Sequence, residues 1–354
     1  MGAARSRYDR SMRKPAFILL GALMLAQADG PTLSRAADTP PPQSYTRIAN
    51  PDTNTVQLQI ALRKFVPAQN AGPAIWLAGV MHVGEPEYYR ALQHFLDAQT
   101  VVLCEGINPD ARPHHVHDAT AAATNEPMAA APPTGANGDY SMQSALARCL
   151  GLVFQLEAID YDRTNFLNSD LSILQIQRIM AGGRTGAAPG PEGGTNVSFE
   201  VLLKIMDGSS FLGSLFKMGM ELIASSPELQ GMAKLTLIEA VGRLKGDLSD
   251  VQGLPPDWKH LVKVLIQARN QHLLGDVSAE LKKIPASGSI AVFYGAGHMD
   301  DLEKRITGDL HYRPAADIWL TAFSVDMRKS GISPFVAQWM RSLIEGEMDQ
   351  MQQH

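Results

Sequence analysis

The stretch AIWLAGVMHVGEPEYYRALQHFLDAQTVVLCEG, residues 74–106, decides the fold. Ala74 to Val80 is a continuous apolar run, which fits a strand buried on both faces. Glu85-Pro86 opens a helix, and Tyr88, Leu92, Phe95 and Leu96 recur at the spacing of one inner stripe. Thr100 to Leu103 returns to a buried strand. Strand, helix and strand in this order make a βαβ unit, and so an α/β fold.

Working outward, Val56, Leu58, Ile60 and Leu62 alternate with polar residues, as in a strand with one wet face. Downstream, residues 108–140 break the pattern and read as a long surface loop. A helix around 141–152 and a short strand near Leu156 to Ile159 follow. From about 170 to 283 the periodicity is helical, interrupted by the Gly-rich gap Gly182 to Gly194. Within it Phe211 to Ala224 is strongly apolar, but Lys217 and Glu221 mark a helix packed in protein. Ser289 to Tyr294 is again a buried strand, Ile318 to Val325 a last strand, and about 335–350 an amphipathic helix. The expected architecture is a divided sheet core of βαβ units over residues 46–325. A long helical insertion (about 170–283) separates its two parts, and a C-terminal helix lies within 326–354.

The chain begins differently. Arg5, Arg7, Arg10, Arg13 and Lys14 precede the apolar run Ala16 to Ala26 and the small-x-small site Ala26-Gln27-Ala28. That order is an export signal, so residues 1–28 are expected to be cleaved and the protein to be periplasmic or secreted. Residues 29–45 form a flexible lead. The apolar run is too short to span a bilayer stably, and no second run of membrane length follows, so no stable transmembrane segment is expected after cleavage. Cleavage would leave 26 basic against 35 acidic residues, a net charge of −9. Such a surface disfavours nucleic acid as a partner. The only cysteines, Cys104 and Cys149, allow one disulfide in an oxidising compartment or two separate buried thiols.

Three histidines follow a glycine at three places: Gly79–His82, Gly295–His298 and Gly308–His311. Only His82 and His298 end a long apolar run and precede an acidic helix start. In open α/β sheets ligands lie outside the carboxyl ends of strands, where two such imidazoles can meet. Glu105 ends a third apolar strand, and a carboxylate there is costly to desolvate unless paired, protonated or metal-bound. Two histidines and a carboxylate suit a divalent metal such as zinc, manganese or cobalt; without metal they can share general-base duties. Arg269 sits on the apolar stripe of Trp258, Val262, Leu265, Ile266 and Leu273, so its guanidinium needs a carboxylate, phosphate or substrate oxygen. Asp160, Tyr161 and Arg163 follow a strand end, and Tyr161 and Arg163 are candidates for substrate binding. His114, His115 and His117 read as a solvated loop tract.

The segments IWLAGVMHVGEPEYYRAL, VVLCEG, QARNQ and VFYGAGHMDDLEKRI, in this order, resemble the TraB/GumN family, which is related to the Tiki proteins and more distantly to erythromycin esterases. LEAIDYDRTNFLNSDLS is similar to a segment of the bacterial GumN-like branch. The resemblance runs from about residue 45 to 325. Ala78 and Met81 depart from it, standing where small or hydroxyl residues are frequent, and the 108–140 loop is peculiar to this chain. The resemblance implies a divided α/β fold with both Gly-x-x-His motifs facing one cleft. It implies metal or catalytic roles for His82 and His298, a ligand or catalytic role for Glu105, and a catalytic role for Arg269. Family members are described as metal-dependent proteases, lactone-opening esterases or pheromone shut-off factors. The expectation is therefore an exported metal-dependent hydrolase acting on a peptide or small-molecule ester. The rivals are a non-catalytic protein that sequesters a peptide or haem, and an interaction module with a vestigial site.

Overall fold

The computed structural model describes residues 44–106, 142–171, 219–244 and 264–352, with isolated positions at 175, 176, 179 and 262. The expected export signal, nearly all of the lead, the 108–140 loop with its three histidines, the Gly-rich gap and Trp258 lie outside the described residues.

Among the described residues the chain forms β1 (Thr46–Ala49), β2 (Thr55–Pro67), β3 (Ala74–Val80), β4 (Val83–Gly84), α1 (Pro86–Asp97) and β5 (Val101–Cys104). Then come α2 (Met142–Cys149), β6 (Val153–Phe154), α3 (Gln155–Ala158), β7 (Phe166–Asn168) and α4 (Pro227–Arg243). A π-helical turn (Val264–Ala268) leads into α5 (Arg269–Glu280). β8 (Ser289–Gly295), α6 (Met299–Gly308), β9 (Tyr312–Asp326) and α7 (Pro334–Gln352) complete it.

The protein is α/β, with one mixed seven-stranded sheet. β3, β8, β5 and β7 are parallel neighbours in that order; the first three are the strands that read as unbroken apolar runs, and the short β7 is one the sequence pattern did not mark. β1, β2 and β9 are antiparallel. β2 alternates over its first residues, as expected, and then buries Ile60 to Arg63 without a break. β9 runs to fifteen residues, longer than Ile318 to Val325, because it pairs along nearly all of β2. One expected strand is absent. Gln155–Ala158 is instead the short helix α3, with Ile159 extended after it and the two-residue strand β6, which pairs with β4, before it.

Alternation along each strand splits the core between two faces. Ala78, Val80, Val102, Cys104 and Phe293 pack with Tyr88, Leu92, Leu235 and Ile238 on one side. Ile75, Leu77, Leu103, Val292 and Tyr294 pack with Leu273, Val277, Leu302 and Ile306 of α5 and α6 on the other. Cys104 and Cys149 are both buried free thiols, so the disulfide expectation gives way to its alternative; the Cys104 thiol donates to Leu167 O. No described helix is long and apolar enough to cross a membrane.

Candidate active site

Parallel register places the three candidate strand ends side by side. Val80 of β3 pairs with Gly295 of β8, and Cys104 of β5 pairs with Phe293 of β8. His82, Glu105 and His298 each follow within a few residues, so all three emerge on the carboxyl edge of the sheet. Gly295 is the point of convergence. A Cβ added there would stand 3.5 Å from Glu105 Oε2, 3.8 Å from His82 Nε2 and 3.9 Å from His298 Cδ2. The glycine of the second Gly-x-x-His motif thus keeps open the space between the three groups. Gly79 has a packing reason, since its Cβ would press on Ile60 Cγ2 at 3.2 Å. The third motif is unrelated: His311 is exposed, in a left-handed conformation (φ 57°), in the turn that enters β9.

Each imidazole is held by an amide. Gln155 Nε2 donates to Tyr161 Oη at 2.8 Å, which turns Gln155 Oε1 to His82 Nδ1 at 2.9 Å. Asn270 Nδ2 donates to Asp301 Oδ2 (2.8 Å) and His298 O (3.2 Å), which turns Asn270 Oδ1 to His298 Nδ1 at 2.7 Å. An amide oxygen only accepts, so both Nδ1 atoms carry a proton and Nε2 is the nitrogen each ring leaves for other partners. The β4–β6 pair positions Gln155, whose N–H also donates to His82 O at 2.8 Å.

Arg269 lies at the centre. The wide π turn before it ends where α5 begins, and its guanidinium is largely buried. Its Nη2 donates to Glu105 Oε1 at 2.7 Å and to Asp170 Oδ2 at 2.5 Å, its Nε donates to Asp170 Oδ1 at 2.8 Å, and its Nη1 stands 3.5 Å from His298 Nε2. Glu105 Oε2 accepts from Gly295 N–H at 2.9 Å. Burial pushes the Glu105 carboxyl up, but Arg269, His298, His82 and that N–H outweigh it and hold it at about 2. Burial is also the main force on His298, reinforced by Arg269 and His82 against Glu105 and Asp301, and brings it down to about 4. At neutral pH the site therefore has an ionised carboxylate and a neutral His298. Burial raises the Asp170 carboxyl, against the bonds from Arg269 and from Leu171 N–H.

The site opens on a cavity of about 550 Å³ whose other walls are largely apolar, among them Val80, Met81, Leu146, Val241 and Ile266. His82, Glu105, His298 and Arg269 all line it; Tyr161 and Arg163 do not. Tyr161 is one step removed, behind His82 through Gln155. Arg163 is exposed and pairs with Asp97 and Asp160 at 3.3 Å each, because the turn after α3 faces α1, away from the cavity. Asp170, Asn270 and Gln155 were not legible as site residues. Each acts through a partner distant in the chain, and although Asn270 lies in QARNQ and Asp170 in LEAIDYDRTNFLNSDLS, neither segment says what its side chain meets.

The donor set matches a borderline divalent metal in kind: two imidazoles with hydrogen-bonded Nδ1 atoms, and an ionised carboxylate. Its spacing is open. Among the described residues no group of three or more His, Cys, Asp or Glu side chains is drawn together at metal-holding distance, and Arg269 occupies Glu105 Oε1. Comparison with protein-family models, curated proteins and solved structures gives no match.

Proposed function

We propose that this cluster is the active site of an exported hydrolase of the TraB/GumN type, cleaving a peptide or ester bond. The observation that carries the reading is the meeting of His82 Nε2, Glu105 and His298 around Gly295, beside a buried guanidinium and in an apolar cavity. In this reading His82 is the general base. It is only partly buried, its Nδ1 proton is anchored, and its Nε2 faces the space where water and a scissile carbonyl would meet. Glu105 is held by Arg269 and Gly295 N–H, so it orients the cluster and balances the charge that develops on the histidines. Arg269 Nη1 is the donor best placed to meet a carbonyl oxygen as it gains charge. A zinc, manganese or cobalt ion would be held by His82, His298 and Glu105, and when bound would polarise the carbonyl and lower the pKa of water. The apolar walls favour a second reading, a protein that sequesters an apolar peptide or haem without turnover.

The deciding experiment is turnover on panels of peptides and esters, with elemental analysis of the same protein and an intact-mass measurement of its secreted form. His82→Ala and His298→Ala should abolish hydrolysis with the fold retained. Arg269→Lys should cost about 10²-fold or more, since a point charge cannot reproduce the planar fork. Mature protein should begin near Asp29. Tight ligand binding without turnover in any metal state would favour the sequestering reading.

A further inference from the structure

The C-terminal helix α7 has two faces. Its inner face is settled: Val336, Ala337 and Met340 pack into the first core, Arg341 Nε lies 2.9 Å from Glu239 Oε1, and Glu345 pairs with Arg243 at 3.0 Å. Its outer face is apolar and open. Phe335, Trp339 and Leu343 are 79%, 59% and 51% exposed, at the i, i+4, i+8 spacing that stacks side chains on one stripe. Gln338, Ser342 and Gly346 fill the gaps, so no charge interrupts the middle of this face. A Cβ at Gly346 would meet nothing within 4 Å. Contiguous apolar surface of this kind marks an interaction site.

Charge at the two ends of the helix identifies the occupant. Exposed Arg328 and Lys329 lie in the turn before the helix, Lys329 3.6 Å from Asp326, and exposed Glu347 and Asp349 lie in its last turns. The helix dipole adds to the same asymmetry, positive at the start and negative at the end. A surface that is basic at one end, neutral and apolar in the middle and acidic at the other is complementary to itself when turned around. We infer that the outer face of α7 is a homodimer interface, in which the helices of two copies pack antiparallel about a twofold axis at Trp339. In that register Phe335 lies opposite Leu343, and the acidic last turns of one helix run toward the Arg328–Lys329 turn of the other copy. A parallel pairing would set like charges together at both ends.

The small residues Ser342 and Gly346 let the two backbones approach closely. The three large side chains offer roughly 350 Å² per copy. A standard interface buries about 800 Å² per partner, so the polar gaps and charged ends must contribute, and the dimer is a reversible one. A membrane surface fits less well, because the acidic end of the helix would be repelled by anionic headgroups.

Sedimentation velocity of the full chain across a wide concentration range tests this. The wild type should pass from monomer to dimer, and Trp339→Glu should raise the dissociation constant by about 30-fold or more. At concentrations where both proteins are monomeric its thermal midpoint should match the wild type, because the side chain faces solvent in the monomer. Trp339→Gln gives the same test without an added charge. Arg328→Glu with Lys329→Glu should weaken the dimer and make added salt strengthen it by relieving the repulsion, and adding Glu347→Lys with Asp349→Lys in the same chain should restore it. The inference is overturned by a wild type that stays monomeric throughout. It is also overturned by association that Trp339→Glu and Trp339→Gln both leave intact. Co-sedimentation of monomer with phosphatidylcholine–phosphatidylglycerol vesicles, lost in Trp339→Glu, would assign the face to a membrane instead. None of these outcomes depends on hydrolysis.

Discussion

Individual side chains carry the chemistry, and two of the most informative are amides. Gln155 and Asn270 fix the histidine tautomers, and so set which nitrogen meets the substrate. Gln155→Leu should lower kcat by about 10–100-fold with little change in KM. Gln155→Glu should keep most of the rate and move the acid limb of the pH profile upward, because a carboxylate stabilises the imidazolium. His298 gives a stability signature. It is neutral in the folded protein down to about pH 4, while in the unfolded chain it protonates near 6.5. As pH falls from 6.5 to 4, only the unfolded chain gains that proton, so stability declines across this window and the decline ends below it. In chelator-treated protein, denaturant unfolding at pH 7 and pH 4.5 should show the wild type losing about 2–3 kcal/mol more than His298→Gln. His82, Glu105, His298 and Arg269 were legible because each interrupts an apolar pattern with a polar group. Asp170 interrupts nothing, as it follows the polar pair Asn168-Ser169, and only the fold gives it Arg269.

Among elements, the unbroken apolar runs 74–80, 101–104 and 289–295 could be read directly, since strands buried on both faces leave no room for polar alternation. Leu156 to Ile159 misled because four residues are too few to separate a strand from one helical turn. Its neighbours then decided the matter, with β4 capturing Val153–Phe154 and leaving the next residues to coil above His82. The two motif glycines sit at the ends of β3 and β8 for different reasons, and alanine should separate them. At Gly295 a methyl group meets its neighbours at ordinary contact distance, 3.5 Å and beyond, but fills the space between the histidines and the glutamate. Gly295→Ala should therefore leave the denaturation midpoint nearly unchanged while cutting turnover by 10-fold or more, about what misplacement of a reacting group costs. At Gly79 the same methyl group is pressed against Ile60, and overpacking should cost roughly 1–3 kcal/mol, read as a lower midpoint with the rate of the folded enzyme largely kept.

At the scale of the whole molecule the order of strands matters most, and periodicity could not supply it. Apolar runs identify buried strands without saying which lie side by side. β8 lies between β3 and β5, so residues from the end of the chain complete a sheet begun near its start. A chain ending at residue 288 should show no cooperative thermal transition by circular dichroism, whereas the full chain should show one. Insertion of β8 also has a consequence during synthesis. When β5 leaves the ribosome, 184 residues separate Cys104 from Ser289. At about 5–20 residues per second, their translation takes roughly 10–40 s. For that interval the nascent chain holds two apolar strands whose shared neighbour does not yet exist, and it must keep both from finding each other or a strand of another chain.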